Sequence, residues 1–315
     1  MGPPEKLVYD EMPPPPMGPK DVRIKVKAAG VNFPDSLIIQ GKYQFKAPLP
    51  FSPGSEVSGT VMEVGAEVGS FKPGDEVMAM LTHGGYAEQA VTPAEKVLPI
   101  PPGLDPTAAA GFMLVYGTSY YALKQRGNLK PGETLLVLGA AGGVGLSAVQ
   151  LGKLMGARVI AGASDQAKLD LCKREGADEL INYSTDSLKE SVKKLTNGQG
   201  ADVIYDPVGG ALAQECMSAI NWNGRYLVIG FPAGIPEIAT NRLLLKSAAA
   251  IGVFWGAHVV REPKAHAENF REMYAWIAAG KLKPVVSKVY PLSQGAQALR
   301  DMLERKVTGK VVLVP

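Results

Sequence analysis

The 315-residue sequence is poor in crosslinking and metal-binding side chains, with two cysteines, Cys172 and Cys216, and three histidines, His83, His258 and His266. Two isolated cysteines form neither a disulfide framework nor a Cys-x-x-Cys metal site, so a reducing compartment is the expectation. An excess of either charge is lacking as well, with 33 basic and 30 acidic residues. The net charge is +3 and the basic residues form no block, which argues against a dedicated nucleic-acid surface. No apolar run reaches the ~18 residues of a membrane span, and the N-terminus lacks the basic-then-apolar order of a secretory signal. The expectation is a soluble, cytoplasmic chain with no membrane partner, or a mitochondrial one if a leader precedes residue 1.

What the chain has in quantity is hydrophobic side chains, 46%, punctuated by 36 glycines and 25 prolines. That suffices for sizeable cores in one large domain or two. Residues 1–19 are dense in proline and read as extended entry chain. Residues 21–29 alternate charged and apolar side chains, the period of a half-buried strand. Further short strands are expected at 56–64, 76–80 and 85–91, separated by turn signals, a texture that points to a small β-barrel or sandwich. After Pro101-Pro102-Gly103 an alanine-rich helix is expected over 107–123, capped by Asp105 or Thr107. Strands at 135–138, 158–161, 179–181, 203–205, 224–229 and 249–254 then alternate with helices, which predicts a doubly wound parallel sheet. Helices over 265–279 and 294–305 and a strand at 310–314 complete the expectation.

Residues 135–151 read LLVLGAAGGVGLSAVQL, an apolar strand, a glycine-rich turn and a helix. Ala140, Gly142 and Gly145 fill the slots of a GxGxxG pattern with alanine first. Gly142 and Gly143 let a ligand approach the backbone, Gly145 lets the helix pack close to the strand, and the helix start presents N–H groups to an anion. About 20 residues further on, a carboxylate would hold a ribose hydroxyl. The next strand ends there in Gly162, Ala163 and Ser164, with no acid before Asp165 and with Lys168 following. A hydroxyl and an ammonium suit a ribose phosphate, so NADPH is expected over NADH. The competing reading makes Lys168 a solvated helix lysine. Asp206, Gly209 and Gly210 end a later strand at the carboxyl edge, where nucleotides bind in such sheets.

The stretches AAGGVGLSAVQLGKLMGARVIA, GADVIYDPVGG, NGRYLVIGF and GKVVLVP, in that order, resemble the quinone oxidoreductase branch of the medium-chain dehydrogenase/reductase family over nearly the whole chain. The resemblance implies an α/β protein with a GroES-like β-barrel catalytic domain over 1–115. A Rossmann domain with a doubly wound parallel sheet would follow over 116–258, and the chain would return to the catalytic domain over 259–315. Family members usually carry a further barrel strand ahead of a segment like residues 5–12. A homodimer paired through the sheet edge near Val253 is also implied. So are cofactor contacts from Ala141, Gly142, Gly143, Val144 and Gly145, and from Tyr183 beside Ser164 and Lys168 on the adenosine phosphate. Asp206 and Lys310 join the same set, with Thr118, Phe231, Phe254, Trp255 and Gly256 on the nicotinamide side. The alcohol dehydrogenase branch of this family holds zinc through Cys and His. The matching positions here look like Asn32 and Ser55, beside Glu56, so no metal is expected.

Residues 31–43 (VNFPDSLIIQGKY) lie where related reductases keep active-site polar groups. Asn32 can donate an amide N–H to a developing oxyanion and Tyr43 can offer a phenolic proton. Equally, Asn32 can cap a turn before Pro34 and Tyr43 can simply pack. Where quinone reductases often carry a further tyrosine and an arginine, this chain has Leu37 and Ile39, which implies a less polar pocket. The expected function is an NADPH-dependent, zinc-independent reductase of small-molecule quinones or activated enones. The alternatives are an enoyl-thioester reductase and an NADPH-binding protein with little turnover.

Overall fold

The strand β1 (Asp21–Val31) alternates burial through Lys27 and is then buried on both faces to its end. It organises the first of two compact units of the computed structural model, which describes residues 1–315; the units are Met1–Leu114 with Ile277–Pro315, and Val115–Trp276. Helix α1 (Phe33–Ile39) follows β1 directly, then come β2 (Glu56–Val64), β3 (Glu76–Met80), β4 (Gln89–Pro93) and β5 (Val97–Pro99). Val22, Ile24 and Val26 point into a core shared with Val57, Val77 and Val97. The strand expected at 85–91 begins later, at Gln89. The reason is local: the N–H groups of Gly84, Gly85 and Tyr86 donate to Ser52 O, Gly54 O and Pro53 O, which makes that stretch a turn.

The helix expected over 107–123 is broken into α2 (Pro106–Ala109) and α3 (Met113–Tyr121), followed by one wide turn at Ala122–Arg126. Asp105 caps α2, accepting from the N–H groups of Thr107 and Ala108. The break comes where the Leu114 N–H donates to the Glu56 carboxylate and where Gly111 makes room for a lysine stem.

The second unit runs β6 (Thr134–Val137), α4 (Gly143–Leu154), β7 (Arg158–Ala163), α5 (Gln166–Arg174), β8 (Glu179–Asn182), α6 (Leu188–Leu195) and β9 (Ala201–Asp206). It continues with α7 (Leu212–Ala219), β10 (Ile220–Val228), α8 (Thr240–Lys246), β11 (Ala249–Gly252), α9 (Trp255–Arg261) and α10 (Pro263–Ala278). The parallel sheet has the order β11-β10-β9-β6-β7-β8. The order reverses between β6 and β9, and the carboxyl ends there form the crevice in which such sheets bind ligands. The sequence-based boundary at 258/259 and the compact units, which divide at 276/277, differ. Up to Trp276, α10 packs within the second unit: the Trp276 ring lies 5.8 Å from Tyr120, and Gln125 donates to Asn269.

The chain returns to the first unit with β12 (Val286–Pro291), α11 (Gly295–Leu303) and β13 (Lys310–Val314). Along one edge, β1 pairs with β4 at residues 21–25 and with β13 at 29–31, and along the other with β2. This curls the sheet β12-β13-β1-β2-β3-β5 into the GroES-like barrel and brings the last strand beside the end of β1. No helix is long and apolar enough to cross a membrane.

Candidate active-site cluster and nucleotide cradle

Where β1 ends, the barrel unit buries five polar side chains: Asn32, Asp35, Ser55, Glu56 and Lys310. Their order in space follows from β1, β2 and β13 lying side by side. The Lys310 Nζ donates to Asn32 Oδ1 at 2.5 Å and to the Val31 carbonyl at 3.1 Å, and it forms an ion pair with Glu56 Oε1 at 2.6 Å. The Asn32 Nδ2 donates to Glu56 Oε1 at 2.9 Å and to the Gly30 carbonyl at 3.3 Å. Glu56 Oε2 accepts from the Leu114 N–H at 3.1 Å.

Asp35 gathers a second set. Its Oδ2 accepts from the Asn32 N–H at 2.9 Å and from the Tyr86 hydroxyl at 3.0 Å, and its Oδ1 from Ser55 at 2.5 Å. Burial pushes the Asp35 carboxyl up to about 6, although Ser55, Asn32, Tyr86 and Lys310 all pull it down. Burial and the neighbouring Asp35 raise the Tyr86 phenol well above its ordinary value. Tyr43, half-buried with its ring edge-on to Phe45 at 5.8 Å, is shifted the same way by burial and then by Asp35. It therefore keeps its proton at neutral pH and is a donor rather than a base.

Asn32 was expected either to donate to an oxyanion or to cap a turn, and the structure gives it the capping place. It is the N-cap of α1, and both hydrogens of its amide already have acceptors in Gly30 and Glu56. The sequence marked Ser55 only as the counterpart of a zinc ligand and did not mark Asp35 or Tyr86 at all. Asp35 stands three residues after an N-cap asparagine, the spacing of a reciprocal cap, and that signal was readable. Tyr86 carried none.

In the second unit, β6 passes through Gly139 (φ +53) into α4. A Cβ on Gly145 would fall 2.2 Å from the Gly139 carbonyl, so helix and turn approach as closely as glycine permits. Gly142 is the exposed N-cap and offers no side chain to the first N–H groups of α4; Ala141 before it is buried, Gly143 and Val144 after it are half-buried, and an uncapped helix start of this kind suits an anion. At the end of β7, the Lys168 Nζ donates to Ser164 Oγ at 3.1 Å and pairs with Asp165 Oδ2 at 2.8 Å. Asp165 also caps α5 through the Lys168 N–H, and Lys168 holds its carboxyl below the usual range. Lys168 is thus paired rather than merely solvated. The Tyr183 ring lies by Gly162, on the same strand end, where a Cβ would meet it at 3.2 Å.

Other expected cofactor residues have different work. Asp206 Oδ1 accepts from the N–H groups of Val208 and Gly209 at 2.7 and 2.9 Å, and its Oδ2 from the Tyr226 hydroxyl. The carboxylate shapes the turn through Gly209 and Gly210, both at positive φ. Trp255 is buried against Gly117, where a Cβ would come within 2.6 Å of the indole, so it packs α9 on α3. Lys310 belongs to the barrel cluster. Phe231, Phe254 and Gly256 are exposed and Thr118 is half-buried on α3, next to the Ser119 hydroxyl bonded to Ser147 and Tyr205. No three His, Cys, Asp or Glu side chains are grouped to hold a metal ion.

Comparison with known proteins matches this architecture. The family model described as alcohol dehydrogenase GroES-like domain matches residues 18–102, and that described as zinc-binding dehydrogenase matches residues 143–279. The chain is 42% identical to a quinone oxidoreductase-like protein 2 homolog of Nematostella vectensis over 94% of this chain and 82% of that one. A crystal structure of a probable oxidoreductase from Mycobacterium abscessus superposes with a TM-score of 0.90 at 40% identity, covering 99% of this chain and 95% of the other. The Escherichia coli quinone oxidoreductase complexed with NADPH superposes with a TM-score of 0.91 at 29% identity, covering 100% and 97%. Two family models in order, relatives similar over almost the full length and the same two architectures place the chain: it belongs to the zinc-independent quinone oxidoreductase branch of the medium-chain dehydrogenase/reductase family.

Proposed function

We propose that the protein is an NADPH-dependent reductase of quinones or activated enones that works without a metal. The observation that carries this reading is the end of β7, where Ser164 and Lys168 are 3.1 Å apart and the acid at 165 is turned back onto α5. A hydroxyl and an ammonium there suit a ribose phosphate, and the uncapped start of α4 suits the pyrophosphate. The Escherichia coli relative bound to NADPH supports the same assignment.

Gly142 and Gly143 would admit the pyrophosphate, and Ser164, Lys168 and Tyr183 would hold the adenosine end. Bound NADPH supplies a hydride and is left as NADP⁺. The acceptor also needs a proton, and the Tyr43 phenol, which is protonated at neutral pH, can give it to carbon. Quinone oxygens can take theirs from water. The buried cluster of Asn32, Glu56 and Lys310 provides a fixed, water-poor polar floor to the barrel site. We extend the proposal to a homodimer, since β11 ends the parallel sheet with Ala249, Ala250 and Gly252 exposed and could pair with its symmetry mate.

A panel of quinones, simple enones and acyl-CoA enoyl esters, read by NADPH oxidation, tests the reading. Turnover of quinones or simple enones is expected. Turnover confined to acyl-CoA esters would make the protein an enoyl-thioester reductase, and binding of NADPH without turnover would make it a cofactor-binding protein.

A further inference from the structure

We propose that Lys310 is the resident cation of the barrel site, a positioning residue that holds Asn32 and Glu56 and gives no hydrogen bond to the cofactor. The inference rests on reading this cluster as the reaction site. An ammonium has three N–H bonds. Lys310 gives hydrogen bonds to Asn32 Oδ1 and Val31 O, and Glu56 Oε1 lies 2.6 Å from the same nitrogen, so the ammonium is surrounded by oxygens of the protein itself. Lys310 and Glu56 are only 4% and 1% exposed, and at that depth either charge alone would be strongly disfavoured.

The packing is built around the pair. A Cβ on Gly111 would lie 2.4 Å from Lys310 Cγ, so the lysine stem occupies a groove closed by a hydrogen atom. A Cβ on Gly30 would lie 2.5 Å from Glu56 Oε1 and 2.3 Å from the Ala110 carbonyl, so only glycine at 30 leaves room for the carboxylate where it stands. The ammonium can face only an oxygen, so it sets the Asn32 amide with Oδ1 toward Lys310 and Nδ2 toward Glu56. Asn32 is the N-cap of α1 and its own N–H is held by Asp35. Displacing Asn32 therefore disturbs the contacts of Asp35 with Ser55 and Tyr86 as well.

The test is Lys310→Ala, which removes the ammonium and leaves a channel the width of its stem. The expected result is a lowered thermal midpoint, raised again by ethylammonium or propylammonium and not by tetramethylammonium at equal ionic strength. The NADPH dissociation constant, read by fluorescence titration, stays at the wild-type value. Turnover falls by roughly a hundredfold, the loss that follows when a fixed polar group of an active site is disturbed, and returns in part with the same primary ammonium ions. A midpoint that no primary ammonium ion restores overturns the cation site whatever the activity. An NADPH affinity weakened by about tenfold or more, a loss of ~1.4 kcal/mol, overturns the separation from the cofactor. Size-selective rescue of the midpoint in a protein that turns over no acceptor at all supports the cation site and refutes the reductase reading instead. Should Lys310→Ala fail to fold, Lys310→Met combined with Glu56→Gln removes both charges at similar size. That variant is expected to fold and to bind NADPH as the wild type does while losing turnover, and loss of NADPH binding by the folded variant overturns the proposal.

Discussion

The Tyr86 hydroxyl donates to Asp35 Oδ2 at 3.0 Å, joining residues 51 positions apart in the chain. With Ser55 and the Asn32 N–H, it gives a carboxyl that has no exposure to water three acceptor contacts. Burial still prevails, which makes Asp35 a carboxyl that titrates near neutrality inside the barrel.

That placement has a signed consequence for stability. Asp35 is raised from an ordinary 3.8 to about 6, so its contribution is complete below the ordinary carboxylate range and is lost as pH rises through about 6. The thermal midpoint of the wild type, followed from acid to mildly alkaline pH, should carry this falling component, and Asp35→Asn should lack it. Parallel curves for the two proteins would show that folding leaves the Asp35 carboxyl at its ordinary pKa.

Lys168 should discriminate between the two nicotinamide cofactors. Lys168→Ala removes the ammonium and leaves Asp165 held only by the backbone N–H at 168, so NADPH binding should weaken by roughly 1–3 kcal/mol while NADH binding hardly changes. Asp165→Asn should act in the opposite direction on NADPH, by freeing Lys168 from its present partner. Titration of both cofactors decides the matter; equal losses for NADPH and NADH in Lys168→Ala would make the lysine structural.

Tyr43 should reveal itself through a ratio of substrates. If it delivers a proton to carbon, Tyr43→Phe slows enone reduction by about 10²-fold or more and quinone reduction much less, because quinone oxygens take protons from water. Steady-state kcat for one enone and one quinone measures the ratio. A uniform loss, or none, would assign the tyrosine to packing against Phe45.

Activity should survive exhaustive chelation. The barrel cluster offers an ammonium, an amide and two carboxyl groups, with neither thiolate nor imidazole among them. Metal analysis of the purified protein and assays with and without chelator are the measurements. Stoichiometric zinc, or activity lost to chelator and restored by zinc, would reverse the expectation.

The alternation of short strands and turns in the first hundred residues, and of strand and helix from residue 134 onward, was written in the sequence because hydrophobic periodicity and glycine placement act over a few residues. The turn from Gly139 to Gly145 was legible for the same reason: the strand, the turn and the start of α4 are consecutive. Tertiary contact decided the rest. Lys310 reaches Asn32 across 278 positions, and Tyr86 reaches Asp35 across 51, only because β1 lies between β2 and β13 and the turn before β4 returns to the same end of the barrel. That Asp206 shapes a turn and that Trp255 packs against Gly117 were likewise not visible in the sequence. A one-dimensional pattern shows which face of an element is apolar. Which polar groups are buried together, and so must satisfy one another, depends on the closing of the sheet, and that information is spread over the whole chain.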